Sequence, residues 1–308
     1  MSGRKGEGLA IVVVNYGSSA LLAENLAPLS AELPGAVVVV VDNRTDDAER
    51  ERVTRLADAS GWRVELPASN LGFGAGVNLG AGAGLTAGVD QLLILNPDAT
   101  IAASAVLELV DRSRAEPNAV YCPRIVRPDG STWFGGSDLH LDDGRLRNPA
   151  RRGSARVEPW LTGACLVVSR SLWERVGGFD DEYFLYWEDV DLSHRVLAAG
   201  AALTLCTDVV AVHDEGGTHR DGMSVGRGKS ETYYYFVIRN RQLFAAKHLD
   251  DADYAAWRRN AWPVAREVVL QGGRRQLARS LRPVLVAWRA VRDGRRLADA
   301  VRARRGSP

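Results

Sequence analysis

Cysteine pairs, long hydrophobic runs and internal repeats are all missing from this 308-residue chain. The three cysteines, Cys122, Cys165 and Cys206, form no CxxC pair, which argues against a disulfide framework and favours buried, reduced thiols in a cytoplasmic protein. The first apolar run, Leu9–Val14, is far too short for a signal peptide or a membrane span, and no run of spanning length follows. We therefore expect one large globular domain, or one domain and an appendage.

Acidic and basic residues are unevenly distributed, although the net charge is only +1. Residues 257–308 contain 14 Arg against three acids, a local charge of +11, whereas residues 1–256 carry 35 acidic and 25 basic side chains. The basic tail predicts an anionic partner, and the acidic body is compatible with a bound cation. The tail contains no recognisable nucleic-acid-binding module, so we expect no nucleic acid partner.

The first hundred residues alternate between short apolar runs and segments with helical spacing. Strands are predicted at residues 9–14, 36–41, 63–66 and 91–95, and helices at 18–29, 46–59 and 77–87. Buried strands that alternate with helices form a mostly parallel α/β sheet, whose ligands collect at the carboxyl ends of the strands. At those ends the chain places Asn15, Tyr16, Asp42, Asn43 and Asp98.

Beyond residue 101 the alternation weakens. We predict strands at 120–126, 160–168, 202–205 and 209–212, a hairpin region at 127–148, a basic loop at 149–158, a mobile loop at 216–228 and a helix at 231–249. An acidic helix should begin at Glu188 and Asp189 and end near Gly200. Acids at a helix start are also ordinary capping residues, worth about 1 kcal/mol, so their position alone leaves capping and catalysis both open.

Closely spaced glycines between Gly72 and Gly80 resemble a dinucleotide-binding loop at first sight. The G-x-G-x-x-G register fails, because its last position is Val77 when counted from Gly72 and Leu79 when counted from Gly74. This misfit disfavours a nicotinamide-dependent dehydrogenase. The glycines more plausibly let the backbone approach a diphosphate or pack tightly against the sheet.

Asp98 follows the fourth predicted strand, and His213 follows a later apolar strand. Taken singly, such an aspartate is usually a turn residue, and such a histidine is often only a polar strand end. Together they could hold a divalent cation, Mg²⁺ or Mn²⁺, against diphosphate oxygens. The pair is therefore a candidate metal site.

Seven ordered landmarks give residues 9–245 a family resemblance. They are Asn15-Tyr16, Asp42-Asn43, Asn70-x-Gly72 with Asn78-x-Gly80, Asn96-Pro97-Asp98, Thr162-Gly163-Ala164, Trp187-Glu188-Asp189-Val190-Asp191 and His213. In this order they resemble the family 2 glycosyltransferases of GT-A fold, especially rhamnosyltransferases and, more distantly, galactofuranosyltransferases. The resemblance implies an α/β fold with a mostly parallel central sheet flanked by helices. It implies a catalytic domain at 9–249, with a nucleotide-binding part at about 9–100 and an acceptor-binding part at about 101–249, and a basic helical extension at 250–308.

The resemblance also implies roles for individual residues. Asp189 would be the catalytic base, and Asp98 and His213 would hold the metal. The donor side would contain Asn15, Tyr16, Asp42, Asn43, Asn70, Gly72, Asn78 and Asn96, with Tyr16 and Asp42 at the nucleotide base. The acceptor side would contain Trp160, Thr162, Gly163, Trp187 and Glu188. Asn96 departs from the Asp-x-Asp motif common in the family, and its amide brings no charge to the cation.

The activity implied by the resemblance is inverting transfer of a sugar, from dTDP-rhamnose or a UDP-sugar, to a hydroxyl of a glycan or a lipid-linked acceptor. A glycoside hydrolase would not need a nucleotide-binding half. A nucleotidyltransferase would ordinarily show a basic Gly-rich loop after the first strand, which residues 15–20 lack. A soluble small-molecule acceptor and a non-catalytic nucleotide-sugar-binding subunit stay open, as does the oligomeric state, including a homodimer.

The C-terminal tail has an amphipathic pattern. Apolar residues recur at helical spacing among interspersed arginines, at Leu277, Leu281, Val284, Leu285, Trp288 and Val291. Two or three short helices are predicted, because Pro263 and Pro283 should interrupt a longer one. The apolar stripe either contacts an anionic membrane from the cytoplasmic side or packs on the catalytic domain or a second subunit.

Overall fold

The structure is a computed structural model that describes residues 4–86, 88–149, 156–214 and 229–305. The chain divides into two compact units. The first unit comprises Met1–Gly136, Trp160–Glu182 and Glu188–Asp221, and the second comprises Ser137–Pro159, Tyr183–Trp187 and Gly222–Pro308. The helix predicted at 231–249 groups with the C-terminal tail in the second unit, whereas the predicted catalytic domain extends to residue 249.

Twelve strands and twelve α-helices lie in the described residues. The strands are β1 (Leu9–Asn15), β2 (Val37–Asp42), β3 (Arg63–Glu65), β4 (Gln91–Leu95), β5 (Ala99–Ile101), β6 (Ala119–Val126), β7 (Thr132–Phe134), β8 (Ser137–His140), β9 (Arg145–Arg147), β10 (Val157–Trp160), β11 (Cys165–Ser169) and β12 (Ala202–His213). The helices are α1 (Ser19–Leu21), α2 (Ala27–Glu32), α3 (Asp47–Ser60), α4 (Phe73–Gly84), α5 (Ala103–Ala115), α6 (Arg170–Val176), α7 (Glu188–Ala198), α8 (Glu231–His248), α9 (Asp251–Arg259), α10 (Ala261–Leu270), α11 (Arg275–Arg279) and α12 (Arg282–Arg305). A π-helical segment, Leu22–Leu26, joins α1 to α2, and Asp181–Tyr183 forms a 3₁₀ turn.

The central sheet has nine strands in the order β3-β2-β1-β4-β11-β6-β12-β5, with β7 paired to β6. Strands β1 to β4 are mutually parallel, as the alternation of strands and helices predicted. β11 runs antiparallel to both of its neighbours, β4 and β6, whereas β12 runs parallel to β6. The amino end of β11 therefore lies at the same edge of the sheet as the carboxyl ends of β1, β2 and β4.

Local sequence explains the best-predicted elements. β1 is buried along its whole length and β2 is buried after its first residue, as expected for valine-rich strands covered on both faces. α3 begins where the Asp46 side chain accepts a hydrogen bond from the Glu49 N–H (2.8 Å), and it ends at Gly61 in the left-handed conformation. All three cysteines are buried and unpaired, as predicted.

The glycine-rich helix differs from its prediction. α4 starts at Phe73, four residues before the predicted start, because its glycines favour close packing here rather than a loop. A Cβ on Gly76, Gly80 or Gly84 would lie 2.6 to 3.1 Å from side chains of β1, so these glycines let the helix backbone approach the sheet. Of the two roles considered for the glycines, the structure thus supports tight packing.

Three other predictions differ from the structure or lie outside it. The strand predicted at 160–168 is two strands, β10 and β11, separated by the turn residues Leu161–Ala164. The strands predicted at 202–205 and 209–212 form one strand, β12, whose pairing shifts register between Cys206 and Val210. The mobile loop predicted at 216–228 and most of the basic loop predicted at 149–158 lie outside the described residues.

Helices dominate the second unit. Tyr234 and Ile238 of α8, Val264, Ala265, Val268 and Val269 of α10, and Ala287, Ala290 and Val291 of α12 form its buried apolar cluster. Pro263 and Pro283 lie in the first turns of α10 and α12, where proline is tolerated, so they mark helix starts rather than breaks. The tail consequently forms four helices, of which the last has 24 residues. No helix in the described part of the chain is both long and apolar enough to cross a membrane.

Candidate active site

Asp189 lies in the first turn of α7, at the centre of the candidate site. Its carboxylate accepts hydrogen bonds from the backbone N–H groups of Gly163 (3.2 Å) and Val190 (2.9 Å). Burial raises the pKa of Asp189 to about 6, although these two hydrogen bonds act in the opposite direction. A half-buried carboxylate with this pKa is ionised at neutral pH and is basic enough to accept a proton.

The two neighbouring acids of α7 have other environments. Glu188 is buried, and burial followed by the nearby Asp189 charge raises its pKa well above the ordinary value. Its Oε2 atom has no hydrogen-bond partner among the described residues. Asp191 is fully buried and forms an ion pair with Arg195 (2.6 Å), which gives it a structural role. Only Asp189 combines partial exposure with a titration point near neutrality.

The reversed strand β11 brings Asp189 to the edge of the sheet. The Asn96 N–H donates to the Ala164 carbonyl (2.9 Å), which continues the β4–β11 ladder by one residue. Gly163, which holds Asp189, is the residue before Ala164 and so immediately precedes the residue that pairs with Asn96. Ser193 of α7 also accepts a hydrogen bond from the Leu161 N–H (3.1 Å). The first turns of α7 are thus attached to the end of β4 through the residues before β11.

Asp98 and His213 meet at the same edge, as the sequence predicted. Asp98 Oδ1 lies 3.2 Å from His213 Nε2, and Asn96 Nδ2 lies 3.3 Å from the same nitrogen. Both Asp98 and His213 are buried, and the His213 ring stacks on Trp133 with a centroid distance of 4.3 Å. Sequence reasoning missed this role of Trp133, because the contact depends on β7 pairing with β6 beside β12.

This arrangement fits a divalent cation held jointly with a ligand. Two ligand atoms that are each about 2.1 Å from one cation lie roughly 3 Å apart, close to the observed spacing of Asp98 and His213. No group of three or more His, Cys, Asp or Glu side chains in the described ranges is arranged to hold a metal ion. Mg²⁺ and Mn²⁺ commonly take only one or two protein carboxylates and complete their coordination with phosphate oxygens and water. Glu24 and Asp214 line a cavity of about 150 Å³ next to Asp98.

On the donor side, Asn15 and Asp42 belong to a buried network. The Asn15 amide donates to Asp42 (3.1 Å) and to Glu49 (3.3 Å), and Arg50 donates to the other Asp42 oxygen (3.0 Å). Although burial alone would raise the pKa of Glu49, hydrogen bonds from Ser19, Arg52 and Asn15 have the larger combined effect and hold it below the ordinary value. Sequence reasoning missed Glu49 and Arg50, since a charged helix normally keeps such residues in solvent.

The remaining donor-side residues divide by accessibility. Tyr16 is 55% exposed at the end of β1 and could stack on a base. Asn43 is buried and binds the loop before α4 through two hydrogen bonds. It accepts one from the Leu71 N–H (2.8 Å) and donates one to the Gly72 carbonyl (2.7 Å). Asn70 accepts from the Gly72 N–H (2.8 Å) in the same loop. These side chains shape the loop around Gly72 rather than pointing freely into a cleft.

Asn78 contacts a different part of the chain from the other predicted donor residues. Its amide donates to the Phe179 carbonyl (2.8 Å) and Asp181 (2.7 Å), and its oxygen accepts from the Phe179 N–H (2.9 Å). All of its hydrogen-bonding groups thus join α4 to the segment after α6. A structural role accounts for these contacts, and the donor role stays a prediction.

The predicted acceptor residues are only partly brought together. Gly163 and the buried Thr162 lie in the turn beside Asp189, and the half-buried Trp160 has an indole N–H without a partner among the described residues. Trp187 belongs to the second unit, where its buried ring packs against Phe244 (5.5 Å between centroids) and Trp257 (6.1 Å). These contacts make the Trp187 ring a core residue of that unit.

A buried asparagine holds the segment that precedes α7. Phe184, Tyr186 and Trp187 all have positive φ angles, of 63°, 64° and 77°, which side chains other than glycine rarely adopt. The fully buried Asn240 of α8 donates from its amide to the carbonyls of Tyr183 (2.8 Å), Leu185 (2.9 Å) and Tyr186 (2.7 Å). Sequence reasoning assigned Asn240 no role, since its partners lie more than 50 residues away in the chain.

Comparisons with known proteins agree with this architecture. Residues 7–239 match the family described as "Glycosyltransferase like family 2". The chain is 32% identical over 259 residues to an N-acetylglucosaminyl-diphospho-decaprenol L-rhamnosyltransferase of Mycobacterium tuberculosis, a match that covers 74% of this chain and 83% of that protein.

Two solved structures have the same fold at low sequence identity. Mannosyltransferase PcManGT from Pyrobaculum calidifontis, in complex with GDP-Man and Mn²⁺, has a TM-score of 0.53 and 16% identity, and covers 98% of this chain and 76% of its own. S. aureus TarS 1-349 has a TM-score of 0.52 and 14% identity, and covers 97% of this chain and 92% of its own. The predicted GT-A fold is confirmed, and the chain belongs to glycosyltransferase family 2.

Proposed function

We propose that this glycosyltransferase moves L-rhamnose from dTDP-rhamnose, with inversion, to a hydroxyl of a lipid-linked cell-envelope glycan intermediate. The observation that carries the proposal is the position of Asp189. It is held by Gly163, whose neighbour Ala164 pairs with Asn96, at the edge of the sheet where Asp98 and His213 meet. A proton acceptor thus lies next to the pair of side chains suited to a diphosphate-bound cation.

In the proposed reaction Asp189 removes the proton from the acceptor hydroxyl as its oxygen attacks the anomeric carbon. The bond from that carbon to the diphosphate breaks in the same step, and one displacement inverts the configuration. A sugar hydroxyl is too weak an acid to ionise at neutral pH, so the base must act during the attack. Asp189, with a pKa of about 6, is ionised at neutral pH and can act as the base, and a single displacement needs no covalent intermediate.

Asp98 and His213 would hold the cation, with Asn96 beside them as a neutral hydrogen-bonding group. When bound, a divalent cation stabilises the negative charge that develops on the departing diphosphate. Trp133 fixes the plane of the His213 ring, and the loop around Gly72 is fixed by Asn43 and Asn70. The exposed Tyr16 would stack on the nucleotide base.

The rhamnosyl donor and lipid-linked acceptor rest on relatives rather than on a contact in this structure. The M. tuberculosis protein is named for an N-acetylglucosaminyl-diphospho-decaprenol acceptor and an L-rhamnosyl group. Three buried free thiols agree with a reducing compartment. We accordingly place the reaction at the cytoplasmic face of the membrane that holds such an acceptor.

A panel of nucleotide sugars tests the donor. We expect dTDP-rhamnose with Mg²⁺ or Mn²⁺ to raise the thermal unfolding temperature of the full-length protein more than UDP- or GDP-sugars do, and to be turned over. A larger effect of a UDP- or GDP-sugar would contradict the donor assignment. Transfer to a soluble glycan but not to a polyprenyl diphosphate sugar would contradict the acceptor assignment.

Variants of the paired side chains test the metal site. Asp98→Ala and His213→Ala should each weaken donor binding mainly when the divalent ion is present, because only the cation-mediated part is lost. Asp129→Ala, a substitution in an exposed turn, is the matched control and should leave donor binding unchanged. If EDTA leaves the activity and donor affinity of the unaltered protein unchanged, the metal assignment is wrong and arginine or lysine must neutralise the diphosphate.

A further inference from the structure

α12 has two apolar faces with different environments. Ala287, Ala290 and Val291 are buried in the cluster of the second unit, and a Cβ on Gly294 would lie 2.5 Å from the Gln242 side chain of α8. Small residues thus let α12 lie directly on α8. The apolar stripe predicted from the sequence is therefore divided, because Leu277 and Val291 pack against this cluster while Leu281, Val284, Leu285 and Trp288 are exposed.

The outer face begins just before α12 and covers its first two turns. Leu281, Leu285 and Trp288 are spaced four and three residues apart, so they share one side of the helix. Their exposed fractions are 69%, 64% and 52%, and the adjacent Val284 is 47% exposed. We call these four residues the α12 apolar patch. Single exposed apolar residues are common, but four adjacent ones on a helix mark an interaction surface.

Positive charge surrounds this patch. Residues 268–292 contain six Arg and no Asp or Glu. Arg274, Arg275 and Arg279 are exposed, and no acidic side chain among the described residues pairs with them. Beside the patch, Arg282 with Glu231 at 3.9 Å and Arg289 with Asp293 at 3.5 Å are long, weak pairs, whereas Arg292 pairs closely with Asp293 at 2.9 Å.

We propose that the α12 apolar patch and its arginines dock on the surface of an anionic lipid bilayer. Tryptophan and leucine would enter the boundary between headgroups and acyl chains, while the arginines contact lipid phosphates, as in interfacial amphipathic helices. A second copy of the chain is a poorer occupant. Symmetric docking of two identical patches would bring two arginine clusters together, and like charges oppose such an interface.

The proposal names a partner for the proposed transfer to a lipid-linked acceptor, and in that respect it rests on the proposed function. Its physical basis is independent of the chemistry, since none of the four patch residues belongs to the candidate active site. Lipid binding and donor turnover can therefore be measured separately on the same protein.

Sedimentation with vesicles tests the proposal. The full-length protein is compared on phosphatidylcholine vesicles and on vesicles that also contain phosphatidylglycerol. We expect clear binding only to the second, and at least about tenfold weaker binding after Leu281→Ser, Leu285→Ser and Trp288→Ser are combined. Arg279→Glu with Arg282→Glu should remove the preference for anionic lipid. Leu146→Ser, an exposed leucine of β9, is the matched control and should bind like the unaltered protein.

Two results would overturn the proposal. One is unchanged vesicle binding by the triple serine variant. The other is conversion of an oligomer to monomers by that variant, seen by light scattering without a change in vesicle binding, which would assign the patch to a second copy. Donor hydrolysis without vesicles should be equal in all variants. Its absence from every protein, including the unaltered one, would count against the proposed function and leave the lipid result standing.

Discussion

At the scale of single residues, Glu188 and Asp189 are adjacent acids that we expect to respond differently to the same substitution. Asp189→Asn should lower turnover about 10²-fold or more, because the proton acceptor is lost. Glu188→Gln should lower it by less than about tenfold, because an amide of nearly the same shape replaces a buried side chain that is not the proposed base. Steady-state kinetics with donor binding as a control would measure both. The reverse order of effects would transfer the role of base to Glu188.

The pH dependence follows from the raised pKa of Asp189. An acid must lose its proton to act as a base, and the pKa of about 6 means that Asp189 is protonated as the pH falls through 6. We expect kcat/KM to decline below about pH 6, whereas an ordinary aspartate would stay active to about pH 4. A profile with its acid limb near pH 4 would show that the site is better solvated than the structure indicates.

Asn240 has a testable role as a positioning residue. Asn240→Ala removes the donors that hold the left-handed segment, and this segment leads by direct chain connection into Glu188 and Asp189. We expect kcat to fall about tenfold or more while KM for the donor changes little, because displacement of a catalytic group costs rate rather than donor binding. Asn240→Asp should lower kcat similarly, since a carboxylate cannot donate hydrogen bonds to the three carbonyl groups.

Gln242→Ala is the control for this effect. Gln242 is a buried amide of the same helix that donates to the Val291 carbonyl (3.2 Å), so its loss should lower stability without lowering kcat. Equal losses of kcat in the Asn240 and Gln242 variants would indicate general damage to the second unit and would contradict the positioning role.

At the scale of elements, α4 offers a matched pair of glycines. A Cβ on Gly80 would lie 2.6 Å from Val12 and 2.9 Å from Val41, so Gly80→Ala should destabilise the protein by about 1–3 kcal/mol. Nothing lies within 4 Å of the corresponding position at Gly82, where alanine should stabilise the helix by about 0.5–1 kcal/mol. Urea unfolding of both variants measures the difference. Equal effects would refute close packing as the reason for the glycines.

The elements that sequence reasoning predicted well are those specified locally. The apolar runs of β1, β2 and β4 and the Asp46 cap of α3 were sufficient to locate them. α4 was predicted to start four residues too late because glycine ordinarily weakens a helix, and only the adjacent sheet makes glycine favourable there. The apolar residues of the C-terminal tail were predicted to form one stripe with one partner. Helical spacing alone does not reveal which side of a helix is covered by another helix.

The candidate site was predictable to a similar extent. Asp98 and His213 could be paired because residues at strand ends meet at one edge of a sheet. The roles of Trp133, Arg50 and Asn240 could not be predicted, since they come from contacts that depend on the tertiary fold. The reversed direction of β11 was also unforeseen, because an apolar run does not indicate the direction in which a strand pairs.

At the scale of the whole molecule, the chain passes between the two units five times. The C-terminal helices therefore cannot be a simple appendage. A chain that ends at Asp253 loses Trp257, which packs on Trp187 and Phe244, and loses the helices that cover Tyr234. We expect this truncated chain to be largely insoluble, or to unfold at a markedly lower temperature.

The triple serine variant of the α12 apolar patch is the control for the truncation. It alters only exposed side chains and should remain as soluble as the unaltered protein. A truncated chain with a normal unfolding temperature would instead show that the rest of the second unit is stable without α10 to α12.

The antiparallel pairing of β11 with β4 has a consequence for the substrates that this enzyme can accept. Adjacent strands of a sheet are about 4.8 Å apart, and this spacing hardly varies. Asn96 pairs with Ala164, the residue after Gly163, so this ladder sets the distance from the proposed diphosphate end of the site to the backbone that holds Asp189. A bulkier acceptor could not be admitted by widening this part of the site. Selectivity for different acceptors would instead have to change in residues outside the ladder, while the separation of leaving group and base stays constant.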